Sequence, residues 1–159
     1  MRVRPVLYLL LAVGSVCLLA AILFPVFAKA RIGGPRKSCL GNIHALSQAM
    51  LMYDNENISL PAANAWMDRL APLVHSEATF HCPEVFRENR FTYGYAMQTR
   101  LGDRNVYELS TPGKEPMVFD SFPIGRNAHT KNPIIPGFSR HGGQNIGYAD
   151  GHAKYLKSR

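Results

Sequence analysis

The chain has 159 residues, 47% of them hydrophobic, with 18 Lys and Arg against 11 Asp and Glu and a formal net charge of +7. Six of the cations, Arg2, Arg4, Lys29, Arg31, Arg36 and Lys37, lie before Ser38 with no acid among them, whereas from Ser38 onward 12 basic residues meet 11 acidic ones. The later region therefore has no basic stripe of the kind that follows a phosphate backbone, and nucleic acid is excluded as an expected partner.

The chain opens with a short tail, residues 1–5, followed by an uncharged apolar run from Val6 to Ala28. At ~1.5 Å per residue a helix over this run matches the roughly 30 Å apolar slab of a bilayer, so 6–28 is predicted as a transmembrane helix. The basic clusters flank it where cations meet lipid headgroups. Ala28 and Ala30 stand in the small-x-small pattern of a candidate signal-peptidase site, but the run exceeds the usual ~7 to 15 residues of a signal core, which favours retention. Cys17 does not read as a lipoprotein anchor, because Val16 precedes it and apolar sequence follows. Residues 29–37 form a basic Gly/Pro linker, and 38–159 form one water-facing domain of ordinary size. The cations after the run taken alone would hold this domain in the cytoplasm. Cys39 and Cys82, its only thiols, instead suit a disulfide in an oxidising compartment, whose loop closure contributes roughly 3 to 4 kcal/mol. The competing reading is a pair of buried unlinked thiols.

Gly33-Gly34-Pro35 predicts a helix break, and Ser38 a new N-cap. Leu40, Ile43, Leu46, Met50 and Tyr53 then recur at helical spacing, while Asn42, His44, Ser47 and Gln48 fall off that stripe. The helix is expected to end by Asp54–Asn57. Trp66 to Val74 reads as a short helix, and the runs at 92–97 and 117–120 read as strands between closely spaced turns. A helix followed by strands implies an α+β domain, with the helix packed on a small antiparallel β-sheet.

The C-terminus carries the sharpest local signal. Asp150-Gly151 suits a two-residue type I′ hairpin turn, which sets Tyr148 opposite Ala153 and Ile146 opposite Tyr155. Alternation then places Ile146, Tyr148, Ala153 and Tyr155 toward the helix and Ala149, His152 and Lys154 away from it. His141, Asp150 and His152 are the candidate metal ligands, imidazole and carboxylate being suited to zinc; the plainer reading is a turn built by Asp150 and Gly151. Ser139, His141 and Asp150 could compose a hydrolase triad, but no Gly-x-Ser-x-Gly elbow supports it, and no enzymatic activity is expected.

Taken in order, Ala-Ile-Leu-Phe-Pro-Val-Phe-Ala-Lys-Ala-Arg (21–31), Ser-Cys-Leu-Gly-Asn-Ile (38–43), Phe-His-Cys-Pro (80–83), Tyr-Gly-Tyr (93–95) and Arg-His-Gly-Gly-Gln-Asn-Ile-Gly-Tyr-Ala-Asp-Gly-His (140–152) resemble the bacterial pseudopilin-like proteins. That family is defined by a prepilin-type N-terminus and a C-terminal motif of His, nine residues and Asp-Gly. The resemblance implies a single-pass helix in the inner membrane, a pilin-like domain in the periplasm or cell exterior, and pilin-like subunits or secretion components as partners. It also implies that calcium is a candidate ligand near Asp150, although no cofactor is expected to be required. The chain departs from the pattern in three places. Met1-Arg-Val-Arg-Pro-Val lacks the processing glycine and glutamate, so no prepilin-type site is expected; Gly33-Gly34-Pro35 interrupts the helical stem; and His141 precedes Asp150 by one residue fewer than the motif has. A competing functional class is a monomeric membrane-tethered binding module or enzyme, with a ligand or metal near the terminal His/Asp-Gly motif.

Overall fold

A computed structural model describes residues 3–122, 125–138 and 140–158, with side chains described over the same residues except 3–7, 26–33, 35 and 141. The chain divides into two compact units, Met1–Gly34 and Pro35–Arg159, and helix α1 (Val3–Asn57) contributes to both. In the first unit the window Tyr8–Pro25 has a mean hydropathy of 2.3 and none of it is buried. It is long and apolar enough to cross a membrane. The expected break at Gly33-Gly34-Pro35 does not occur, and Ser38 lies within α1 rather than capping a second helix. One proline removes one hydrogen bond from a 55-residue helix.

The second unit is an α+β body. Its C-terminal stretch of α1 buries Cys39, Ile43, Leu46, Ala49 and Met50, one face of a helix at spacings of three and four. That face packs with Trp66, Met67 and Leu70 of α2 (Trp66–Leu70), with Phe80, and with Tyr95, Met97, Met117 and Val118 of the sheet. Leu40 and Tyr53, expected on the stripe, are half-buried, while Ser47, expected off it, is fully buried. Five strands build the sheet: β1 (Tyr95–Gln98), β2 (Pro116–Asp120), β3 (His129–Thr130), β4 (Gly143–Tyr148) and β5 (Ala153–Lys157), in the order β3-β1-β2-β4-β5.

The sheet is mixed rather than antiparallel, because β3 pairs parallel with β1 through Met97↔His129 and Gln98↔Thr130. The cause lies in the approach to β3. Asn127 Oδ1 accepts the Met67 amide at 2.8 Å, and Ala128 O accepts both Trp66 Nε1 at 2.9 Å and the Met97 amide at 3.0 Å. These bonds tie the chain to the start of α2 before it reaches the sheet, so it enters along β1 from the same end. Ala96, Phe119 and Ile146 form a smaller core on the opposite face with Ala128, Tyr148 and Leu156. Gln144 fastens residues 133–138 there, its amide donating to Pro133 O at 2.7 Å and its carbonyl accepting the Ile135 amide at 3.2 Å.

The terminal hairpin forms, but one residue out of the expected register: Ile146 faces Lys154 and Asn145 faces Tyr155. Gly151 N donates to Tyr148 O at 2.9 Å, Tyr148 N donates to His152 O at 2.9 Å, and within the loop only Gly151 has a positive φ, +90°. The connection is therefore a turn over Ala149-Asp150 closed by a left-handed glycine, not a type I′ turn over Asp150-Gly151. Tertiary docking selects it. Ala149 is fully buried rather than solvent-facing, its amide donates to Glu115 O at 2.9 Å, and Gln48 Nε2 reaches Gly151 O at 3.0 Å. The shift turns Ile146 and Tyr148 to the far core while Ala153 keeps its place under the helix.

Candidate functional site

The motifs at 38–43, 80–83 and 93–95 converge at the start of the helix-facing core. Cys39 comes from α1, and Cys82 immediately precedes α3 (Pro83–Glu88). The proline of Cys82-Pro83 occupies the first turn of α3, where its missing N–H costs nothing, and this fixes Cys82 beneath α1. The two Sγ atoms lie 2.8 Å apart with both residues fully buried. Gly94 explains the Tyr-Gly-Tyr motif: its φ is +93°, and a Cβ there would come within 2.9 Å of the Cys82 Cβ. Only glycine lets β1 begin this close to the thiol.

Around the sulfurs stand Tyr95 of β1 and Asp120 of β2, the latter with a carboxylate oxygen within 4.8 Å of both Sγ atoms. The Asn145 amide and side-chain Nδ2 donate to Asp120 Oδ2 at 2.8 and 2.9 Å, so the carboxylate is held by β4. Asn42 Nδ2 donates to Tyr95 OH at 3.3 Å. Hydrogen bonding with Cys82, then burial, then the neighbouring negative groups push the Cys39 thiol far above its ordinary value. Burial, followed by the nearby thiols, likewise raises Tyr95. A thiol held protonated is a poor nucleophile, and the short separation places the two sulfurs for linkage to each other. Two sulfurs and one carboxylate also satisfy the ligand chemistry of zinc in kind.

No family model, curated protein or solved structure matches the chain.

At the hairpin, Asp150 Oδ1 accepts the His152 amide at 3.1 Å and meets His152 Nδ1 at 2.5 Å, while the imidazole stacks on Tyr148 at 4.4 Å. Desolvation opposes ionisation of Asp150, but the hydrogen bonds from His152 outweigh it and hold the carboxyl below the usual range. His141 does not join them. Its backbone lies in the turn Arg140–Gly142 before β4, and Asp150 lies beyond the other end of that six-residue strand, about 20 Å away at ~3.4 Å per residue. Of the expected three ligands, the described residues bring together Asp150 and His152, and the expected triad falls partly on Ser139. The side chains of His141, Ala28 and Ala30, and residue Ser139, lie outside the described residues.

Sequence reading missed Asp120, Tyr95, Asn145 and Arg140 as parts of the buried network. Arg140 donates to Gly94 O at 3.0 Å and to Ser121 O at 2.9 Å, joining the ends of β1 and β2. Its presence in the terminal motif was the available signal. Nothing in the sequence around Asp120 distinguishes it from a strand-end acid.

Proposed function

We propose that this protein is a membrane-anchored, pilin-like interaction subunit. Its N-terminal helix is retained in a bacterial inner membrane, and its α+β domain faces the periplasm or cell exterior. The observation that carries the reading is the wholly unburied apolar window Tyr8–Pro25 in the same chain as a separately cored domain. Exposed Leu10, Leu18 and Phe24 would cost about 25 cal/mol per Å² in water, and lipid or the matching helix of a neighbouring subunit removes that cost. The nearly balanced charge of 38–159 supports protein neighbours over nucleic acid. In this reading the partners are pilin-like subunits or secretion components, the work is assembly rather than catalysis, and the thiol pair becomes a disulfide that ties α1 to the entry of the sheet.

The test is crosslinking in intact cells followed by affinity purification of the full chain. Species containing further copies of the chain, or pilus or secretion components, are expected. A protein found only as a monomer, or one released from membranes without detergent, overturns the reading. The intact mass of the extracted protein locates its N-terminus, and an unprocessed start is expected.

A further inference from the structure

The α+β domain gathers cations from both ends of its sequence on one face. Arg36 of α1 lies over the Tyr155 ring of β5, its Cζ 4.8 Å from the centroid. Ala153 packs under the helix, and alternation along β5 turns Tyr155 and Lys157 to that same side. Lys157 is exposed and stands opposite Gly143, while Ser158 N donates to Gly142 O at 3.2 Å and holds the last residues at that end of the sheet. Lys37, also exposed, follows Arg36 in α1. The stacked ring orients the guanidinium and leaves its N–H groups for another partner.

The face lacks counter-charge. No Asp or Glu occurs in residues 1–53 or 151–159. Among the described residues Arg36, Lys37 and Lys157 form no ion pair, whereas Arg126 meets Asp68 and Glu77, and Arg100 meets Glu115. With Lys29, Arg31 and Arg159 the adjoining sequence brings the cations to six, within the range of about four to eight found in juxtamembrane clusters that bind anionic lipid. Eleven residues of chain lead from Pro25, the last of the apolar window, to Arg36. Even fully drawn out they span no more than about 40 Å. A bilayer holding the window therefore offers its headgroups to this face at an effective concentration in the millimolar range.

We propose that Arg36, Lys37 and Lys157 form a docking surface for the phosphates of anionic phospholipids. Arg36 presents a fork of donors to a phosphate, the two lysines act as point charges, and Tyr155 supplies the amphipathic ring that favours the headgroup level. The cations beside the apolar window would hold the anchor alone; folding adds the C-terminal strand to them and draws the domain down to the lipid. The inference rests on the membrane anchoring proposed above and is independent of subunit assembly.

The full chain reconstituted in lipid nanodiscs tests it, with discs of phosphatidylcholine compared against discs of equal parts phosphatidylcholine and phosphatidylglycerol. Brief acetylation of surface amines, mapped by mass spectrometry, reads each lysine separately. Lys37 and Lys157 should react about threefold more slowly on the anionic discs, and that protection should vanish in about 1 M salt, where the screening length falls to about 3 Å. Lys114 is exposed beside the hairpin loop, next to a Gly113 whose Cβ would meet Asp150, and should react alike on both. Lys157→Gln, at an exposed position, should weaken the protection of Lys37 and leave the circular dichroism unchanged. Co-elution with the discs reports the anchor independently. A chain that co-elutes with both discs yet shows equal Lys37 and Lys157 rates overturns the lipid surface and leaves the anchor standing; a chain that co-elutes with neither overturns both. Protection that extends to Lys114, or that survives the high salt, marks general crowding at the disc and also overturns the proposal.

Discussion

Gly147 sits in β4 directly against Ile43 and Ser47 of α1. A Cβ there would overlap Ser47 Oγ, come within 2.9 Å of Ile43 Cγ2 and lie 3.3 Å from Val118 O. Gly147→Ala therefore forces the helix outward or the strand inward, and overpacking of this kind costs about 1 to 3 kcal/mol. The upper half of that range is expected, because Ile43 is itself fully buried and has no vacant space to enter. For a domain of this size, that shift lowers the melting temperature by about 3 to 5 °C per kcal/mol. Ser47→Ala alone should cost little, since its hydroxyl donates only to the Ile43 carbonyl of its own helix at 2.9 Å. Combined with Gly147→Ala it removes the worst overlap and should recover about 1 kcal/mol or more, a coupling that a double-mutant cycle reads directly. Thermal melts followed by circular dichroism on the full chain in micelles provide the measurement. A loss below about 0.5 kcal/mol for Gly147→Ala, or strict additivity in the double variant, would refute the close approach of α1 to β4.

With the cysteines reduced, Cys39 ionises far above its ordinary value of 9.0 because Cys82 and burial favour the neutral thiol. A raised folded pKa means stability is intact below pH 9 and declines as pH rises further, since the unfolded thiol ionises first. Denaturation midpoints in reductant should fall between pH 8 and pH 10, and the fall should lessen in Cys39→Ala/Cys82→Ala, with the remainder due to Tyr95. Under oxidising conditions the intact mass should drop by about 2 Da, and reduction should cost roughly 4 kcal/mol; an unchanged mass and an unchanged melting temperature would exclude the link. Asp150 has a lowered pKa, so its contribution is present above its ordinary value near 3.8 and lost as pH falls below it; being half-exposed it is worth under about 1 kcal/mol. Asp150→Asn should flatten that acid limb of the melting-temperature profile, and a profile identical to the parent protein would discount the His152 contacts. Removal of residues 1–34 should yield a detergent-free protein whose near-ultraviolet circular dichroism matches that of the full chain, because every core residue among the described ones lies beyond Gly34; aggregation of that fragment would count against an independent domain.

Sequence by itself determined the apolar window, the helical face through Ile43, Leu46 and Met50, the helix at Trp66, the approximate places of β1 and β2, and the existence of a terminal hairpin. Each depends on periodicity or turn chemistry that neighbouring residues carry among themselves. Tertiary structure alone decided the rest. The direction of β3 depends on Asn127 and Ala128 reaching α2, and the hairpin register on Ala149 entering the core and Gly151 meeting Gln48. The grouping of Asp120, Tyr95 and Asn145 around Cys39 and Cys82 depends on three strands arriving at one end of the sheet. A dipeptide can favour a turn by a fraction of a kcal/mol, but burying an alanine and satisfying its amide outweigh that preference. The same logic separates His141 from Asp150: nearness along the chain becomes the length of a strand once β4 is extended between them.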